Sequence, residues 1–104
     1  VLAGKGAAEM KKLKVYIAGP MTGYKDFNYP AFFEAEEMLK DKYIVLNPAM
    51  REPRQMDYSS YIRKGIELLL QAEVVYLLPG WERSTGARLE WEIARTLQLR
   101  IIYP

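Results

Sequence analysis

Four short runs of almost unbroken apolar residues set the limits on how this chain can fold. They are "LKVYIAG" at 13–19, "YIVLNP" at 43–48, "EVVYLLP" at 73–79 and "RIIYP" at 100–104. Each is strand-length, and the first three are followed by stretches with helical period: "PAFFEAEEMLKDK", "DYSSYIRKGIELLLQA" and "TGARLEWEIARTLQ". Strands that are apolar on both faces and alternate with helices imply a parallel sheet covered on both sides and joined by crossovers.

The expected fold is therefore α/β, a three-layer flavodoxin-like or Rossmann-like sandwich around a four-stranded parallel sheet in the order 2-1-3-4. The first helix has Pro30 in its first turn and buries Phe32, Ala35 and Leu39. "AMREPRQM" has no period and reads as a loop; Asp57 or Ser59 caps the second helix, and Gly65 costs that helix ~1 kcal/mol relative to alanine. In such sheets ligands sit beyond the carboxyl ends of the strands, where the strand order reverses. That points to two loops, "GPMTGYKDFNY" after the first strand and "PGWERSTG" after the third.

Composition narrows the chemistry. The chain has 104 residues, half of them hydrophobic, which suits a single domain over residues 10–104. Residues 1–9 lack apolar period and read as a cloning remnant; their "GKGAAE" has no Ser or Thr after its lysine and so is no phosphate loop. With no cysteine and no histidine, disulfides, ordinary zinc sites, thiol nucleophiles and Ser-His-Asp arrangements are excluded, and no metal or cofactor is expected. A net charge of +2 from scattered residues calls for neither a nucleic-acid polymer nor a membrane surface, and the absence of a bilayer-length apolar run suggests a cytoplasmic protein. "AGPMTG" lacks the spacing of a dinucleotide fingerprint, and the second strand ends in Asn47-Pro48 without a ribose-binding acid.

The stretch "STGARLEWEIA" carries two glutamates. On a helical wheel Leu89, Ile93, Ala94 and Leu97 form one apolar stripe; Glu90 falls inside it and Glu92 points away, between Arg88 and Arg95. Glu92 is accounted for as a solvated charge among arginines. Glu90 has two readings. A carboxylate on a core-facing stripe is either paired, with the helix start or a nearby cation, or set at a cleft for chemistry, because desolvation otherwise costs several kcal/mol. Periodicity leaves both open. Around it, Gly86 permits close approach, Ser84 and Thr85 offer hydroxyls, and the helix start favours an anion. Gly19, Met21, Thr22 and Gly23 form a second small loop able to wrap a sugar phosphate, or an ordinary strand-to-helix connection.

"KVYIAGPMTG" together with Ser84, Gly86 and Glu90, spaced S-x-G-x-x-x-E, resembles the nucleoside 2-deoxyribosyltransferase superfamily, including its 2'-deoxynucleoside 5'-phosphate N-hydrolases and small phage and bacterial relatives. The resemblance runs from about Lys14 to the end of the chain. It implies that Glu90 is the nucleophile at the anomeric carbon of a nucleoside or nucleotide, forming a glycosyl ester resolved by water or by a second base. It implies that Ser84 holds a 5'-phosphate, that Tyr16 lines the pocket, and that the chain forms a homodimer or higher homo-oligomer. A carboxylate nucleophile suits a histidine-free site.

Some features depart from the family pattern. Leu77 and Leu78 stand where relatives carry an acid, and Pro20 and Met21 replace polar loop residues. Leaving-group protonation then has Asp57 and Glu82 as candidates, each also readable as a helix cap or a solvated charge. Trp81 has two readings, stacking on a nucleobase or packing at a subunit contact, and Tyr16 can equally be core. Two functions from different classes follow: an enzyme cleaving or transferring at the N-glycosidic bond of a (deoxy)nucleoside 5'-monophosphate, and a non-catalytic nucleotide-binding module of the same fold.

Overall fold

The computed structural model describes residues 11–49 and 57–104. The reading of residues 1–9 as a remnant, and all but Ala49 of the "AMREPRQM" loop, lie outside the described residues. Strands β1 (Leu13–Ala18), β2 (Tyr43–Leu46), β3 (Val74–Leu77) and β4 (Arg100–Ile102) alternate with helices α1 (Tyr29–Leu39), α2 (Tyr58–Leu69) and α3 (Thr85–Thr96). The sheet order is β2-β1-β3-β4 and every pairing is parallel, with Val15 opposite both Val45 and Val74. This is the expected three-layer α/β fold. Among the described residues no helix is long and apolar enough to cross a membrane.

The alternation of side chains along β1 divides the core. Val15 and Ile17 pack with Tyr29, Phe32, Ala35 and Leu39 of α1 on one face. Tyr16 and Ala18 pack with Leu69 of α2 and with Ala87 and Ala94 of α3 on the other. A central strand needs apolar residues on both faces because both are covered, and here both are fully buried. α1 buries the three residues expected of it, and Tyr29 as well.

α3 corrects the wheel. Its buried residues are Ala87, Glu90 and Ala94, whereas Leu89 and Leu97 are 44% and 49% exposed. The helix lies close against the sheet on a small-residue seam, and a wheel weighted by large side chains centres the stripe too far toward the leucines. Glu90 stays inside the buried face, and Glu92 faces out to meet Arg95 at 3.6 Å.

Two glycines fix the ends of the central strands. A Cβ on Gly19, just after β1, would stand 2.7 Å from the Cβ of Leu78, just after β3, so the two strand ends close together only without it. Gly80 turns the chain at φ 89°, a left-handed conformation glycine adopts without steric cost. The strand order reverses between β1 and β3, so both loops leave from the point where this architecture opens a crevice.

Candidate active site

A cavity of about 790 Å³ opens at that crevice. Gly19, Met21 and Thr22 reach it from the loop after β1, Ser84, Gly86, Ala87 and Glu90 from the start of α3, and Tyr58, Tyr61, Ile62 and Gly65 from one face of α2. Tyr29 and Phe32 of α1 complete an aromatic wall, on which the hydroxyls of Tyr29 and Tyr61 share a hydrogen bond. The charged side chains among the described lining residues are Asp57 and Glu90.

Glu90 lies at the floor, 8% exposed. The Tyr16 hydroxyl, from the central strand, donates to its Oε2 at 2.5 Å. No described buried side-chain oxygen is left without a partner, and among the described residues Oε1 accepts no hydrogen bond, so Oε1 opens to the cavity that Glu90 lines. Burial pushes the Glu90 carboxyl up from 4.5 to about 7, with the Tyr16 hydrogen bond partly opposing the shift. Burial first, and then the neighbouring carboxylate, push the Tyr16 phenol well above its ordinary range, so it stays a donor. Among the described residues Glu90 thus neither reaches back to the helix start nor meets a cation; its partner is a neutral hydroxyl.

Ser84 is the N-cap of α3, its Oγ accepting from the Ala87 amide at 3.2 Å while its carbonyl accepts from Arg88. Ser84 and Gly86 line the cavity, and the amides of Thr85 and Gly86, in the first turn of α3, have no carbonyl one turn back. Gly86 also admits α2: a Cβ there would meet the Ile62 Cδ1 at 3.1 Å.

Of the residues singled out in the sequence, Tyr16, Gly19, Met21, Thr22, Ser84, Gly86 and Glu90 line one cavity. Gly23 does not; it is exposed in the turn at φ 85°. Nor does Trp81 line the cavity. It is 9% exposed, packed against Trp91 at 5.1 Å and Tyr103 at 6.1 Å, and absent from the lining, because three aromatic rings bury more apolar surface together than one ring over a loop.

The acid candidates both take their plainer reading. Asp57 caps α2 by accepting from the Ser60 amide at 2.8 Å, and hydrogen bonds from Ser60 and Ser59 hold its carboxyl below the usual range. Glu82 is exposed in the turn Trp81–Arg83, away from the lining. What the sequence reading missed is the α2 wall. Tyr61, Ile62, Gly65 and Leu69 recur at helical spacing, a signal that identifies an inward face without showing that it borders a cavity, and Tyr58, one turn earlier, is 59% exposed at its rim.

Residues 13–103 match the family model described as "Domain of unknown function (DUF4406)". No curated protein matches the chain. Among solved structures it is similar to a 2-desoxiribosyltransferase from Leishmania mexicana, at 18% identity and a TM-score of 0.68, over 89% of this chain and 63% of that one. It is similar also to a conserved protein from Enterococcus faecalis V583, at 20% identity and a TM-score of 0.64, with the same coverage. These likenesses establish the shared fold, and the chain spans about 63% of the length of the structures it matches.

Proposed function

The chain belongs to the DUF4406 family, for which no function is described, and from its cavity we propose an enzyme acting at the N-glycosidic bond of a (deoxy)nucleoside 5'-monophosphate, with Glu90 as nucleophile. One observation carries this reading: a buried carboxylate at the strand-order reversal, with Oε2 tied to Tyr16 and Oε1 open to a cavity. The fold shared with a protein titled 2-desoxiribosyltransferase supports it.

In the proposed reaction Oε1 of ionised Glu90 attacks the anomeric carbon, and the carbon–nitrogen bond breaks with its electron pair leaving on the base. The resulting glycosyl ester is resolved by water or by a nitrogen of a second base, which restores the carboxylate. In hydrolysis, the proton shed by water balances the one the base takes up. Tyr16 keeps the carboxylate aimed, Ser84 and the amides of Thr85 and Gly86 receive the phosphate, and the aromatic wall faces the nucleobase. The nucleophile must be ionised, so the rate falls as pH drops below about 7.

A non-catalytic nucleotide-binding module is the second reading. It is favoured by one feature: among the described residues the lining carboxyl other than Glu90 is Asp57, held ionised as a helix cap and so a poor proton donor to a leaving base.

Incubation with deoxyribo- and ribonucleoside monophosphates and their parent nucleosides, with chromatography of released base, decides among these. The expected result is release from a monophosphate that Glu90→Ala abolishes. Undiminished turnover by that variant overturns the nucleophile, release from nucleosides alone overturns the phosphate, and calorimetric binding with no release establishes the module.

A further inference from the structure

Gly65 stands where the backbone does not require glycine. It is the eighth of the twelve residues of α2, and its φ lies outside the left-handed region occupied by Gly23 and Gly80. Glycine inside a helix is destabilising relative to alanine, so the position carries a cost that something else must offset. What occupies the missing side chain's space is the hydrogen-bonded pair itself. A Cβ on Gly65 would stand 2.9 Å from Glu90 Oε2 and 2.9 Å from the Tyr16 hydroxyl, inside the ~3.3–3.6 Å at which carbon and oxygen ordinarily meet.

Gly86 makes the contrast. Its added Cβ would meet the end of an isoleucine side chain at 3.1 Å, which can rotate away. The two oxygens facing Gly65 have no such freedom: they are bound to each other at 2.5 Å, and one belongs to a rigid ring on the central strand, 1% exposed.

We infer that Gly65 is a positioning residue for Glu90, its bare Cα letting α2 close over the Tyr16–Glu90 hydrogen bond so that Oε2 stays on the hydroxyl and Oε1 faces the cavity. The catalytic consequence rests on Glu90 being the nucleophile; the packing does not. A methyl group at this position has to push the carboxylate off the hydroxyl or lift the helix from the sheet, and either displaces the attacking oxygen.

Two measurements test it. In the first, Gly65→Ala lowers kcat on whatever substrate the wild-type protein cleaves by ~100-fold, the effect of a misplacement near 1 Å, with the nucleotide dissociation constant nearly unchanged. An unchanged kcat overturns the assignment. The second needs no substrate: the melting temperature of Gly65→Ala is compared in the wild-type background and in a Tyr16→Phe, Glu90→Ala background. The substitution lowers it in the first and raises it in the second, where only the helix preference of alanine remains. A shift of the same sign in both, or failure to fold in both, overturns the inference, and folding only in the second supports it. If the wild-type protein cleaves nothing, the assignment of Glu90 fails separately and the melting comparison still decides the role of Gly65.

Discussion

A carboxylate taken out of water either finds compensation or gives up its charge, and Glu90 sits between the two, with one strong hydrogen bond and a pKa of about 7. The consequence for stability has a definite sign. In the unfolded chain this carboxyl loses its proton near 4.5 and in the folded chain near 7, so between those values the folded state holds more protons and stability falls as pH rises. The difference between the two values corresponds to about 3 kcal/mol. Urea denaturation of the wild-type protein and Glu90→Gln, which does not ionise, should therefore show the variant gaining about 3 kcal/mol on the wild type between pH 4.5 and pH 8. A constant gap across that range would mean that Glu90 loses its proton at the same pH in the folded and unfolded chain. The sequence showed that this carboxylate faces inward, but not what it meets. Its partner, Tyr16, is 74 residues away in the chain, and helical periodicity carries no information across that distance.

At the level of elements, α3 separates two properties that a wheel merges. Large apolar residues mark the helix as amphipathic, yet the seam that touches the sheet is Ala87, Glu90 and Ala94. Packing distance selects for small residues at the closest approach, leaving Leu89 and Leu97 at the flanks. Leu89→Lys should then change stability by no more than ~0.5 kcal/mol, while Ala94→Leu, overfilling a fully buried site, should cost ~1–3 kcal/mol. Chemical denaturation measures both, and the opposite ranking would restore the leucine-centred stripe. The boundaries of all seven elements were legible to within a few residues, because apolar runs, Pro30, the cap residue Asp57 and turn glycines are local signals. The α2 wall was not, since Tyr58 and Tyr61 look the same in a sequence whether they pack against a core or border a cavity.

Taken whole, the molecule places its cavity where both layers meet. Tyr29 and Phe32 come from the helix on one face, Tyr61 and Glu90 from the two helices on the other, and Gly19 and Thr22 from the strand-end loop between them. An occupant held by all of these should tie the layers together and stabilise the domain as a unit. With Glu90→Ala blocking turnover, a bound monophosphate at a hundred times its dissociation constant should add ~2.7 kcal/mol and raise the melting temperature by roughly 10 °C. No shift with any monophosphate at millimolar concentration would remove nucleotides as the occupant.

What the sequence determined by itself is the architecture and the inward face of one glutamate. Alternating strand and helix patterns leave few ways to bury four apolar runs, and parallel order 2-1-3-4 is among them. What only tertiary structure decided is the company that glutamate keeps. A hydroxyl from β1, the bare Cα of Gly65 and the burial of Trp81 in its own aromatic cluster all arise from contacts between distant segments. Those contacts depend on how closely helices settle on the sheet, a distance fixed by side-chain volumes summed over the whole core rather than by any local run of residues.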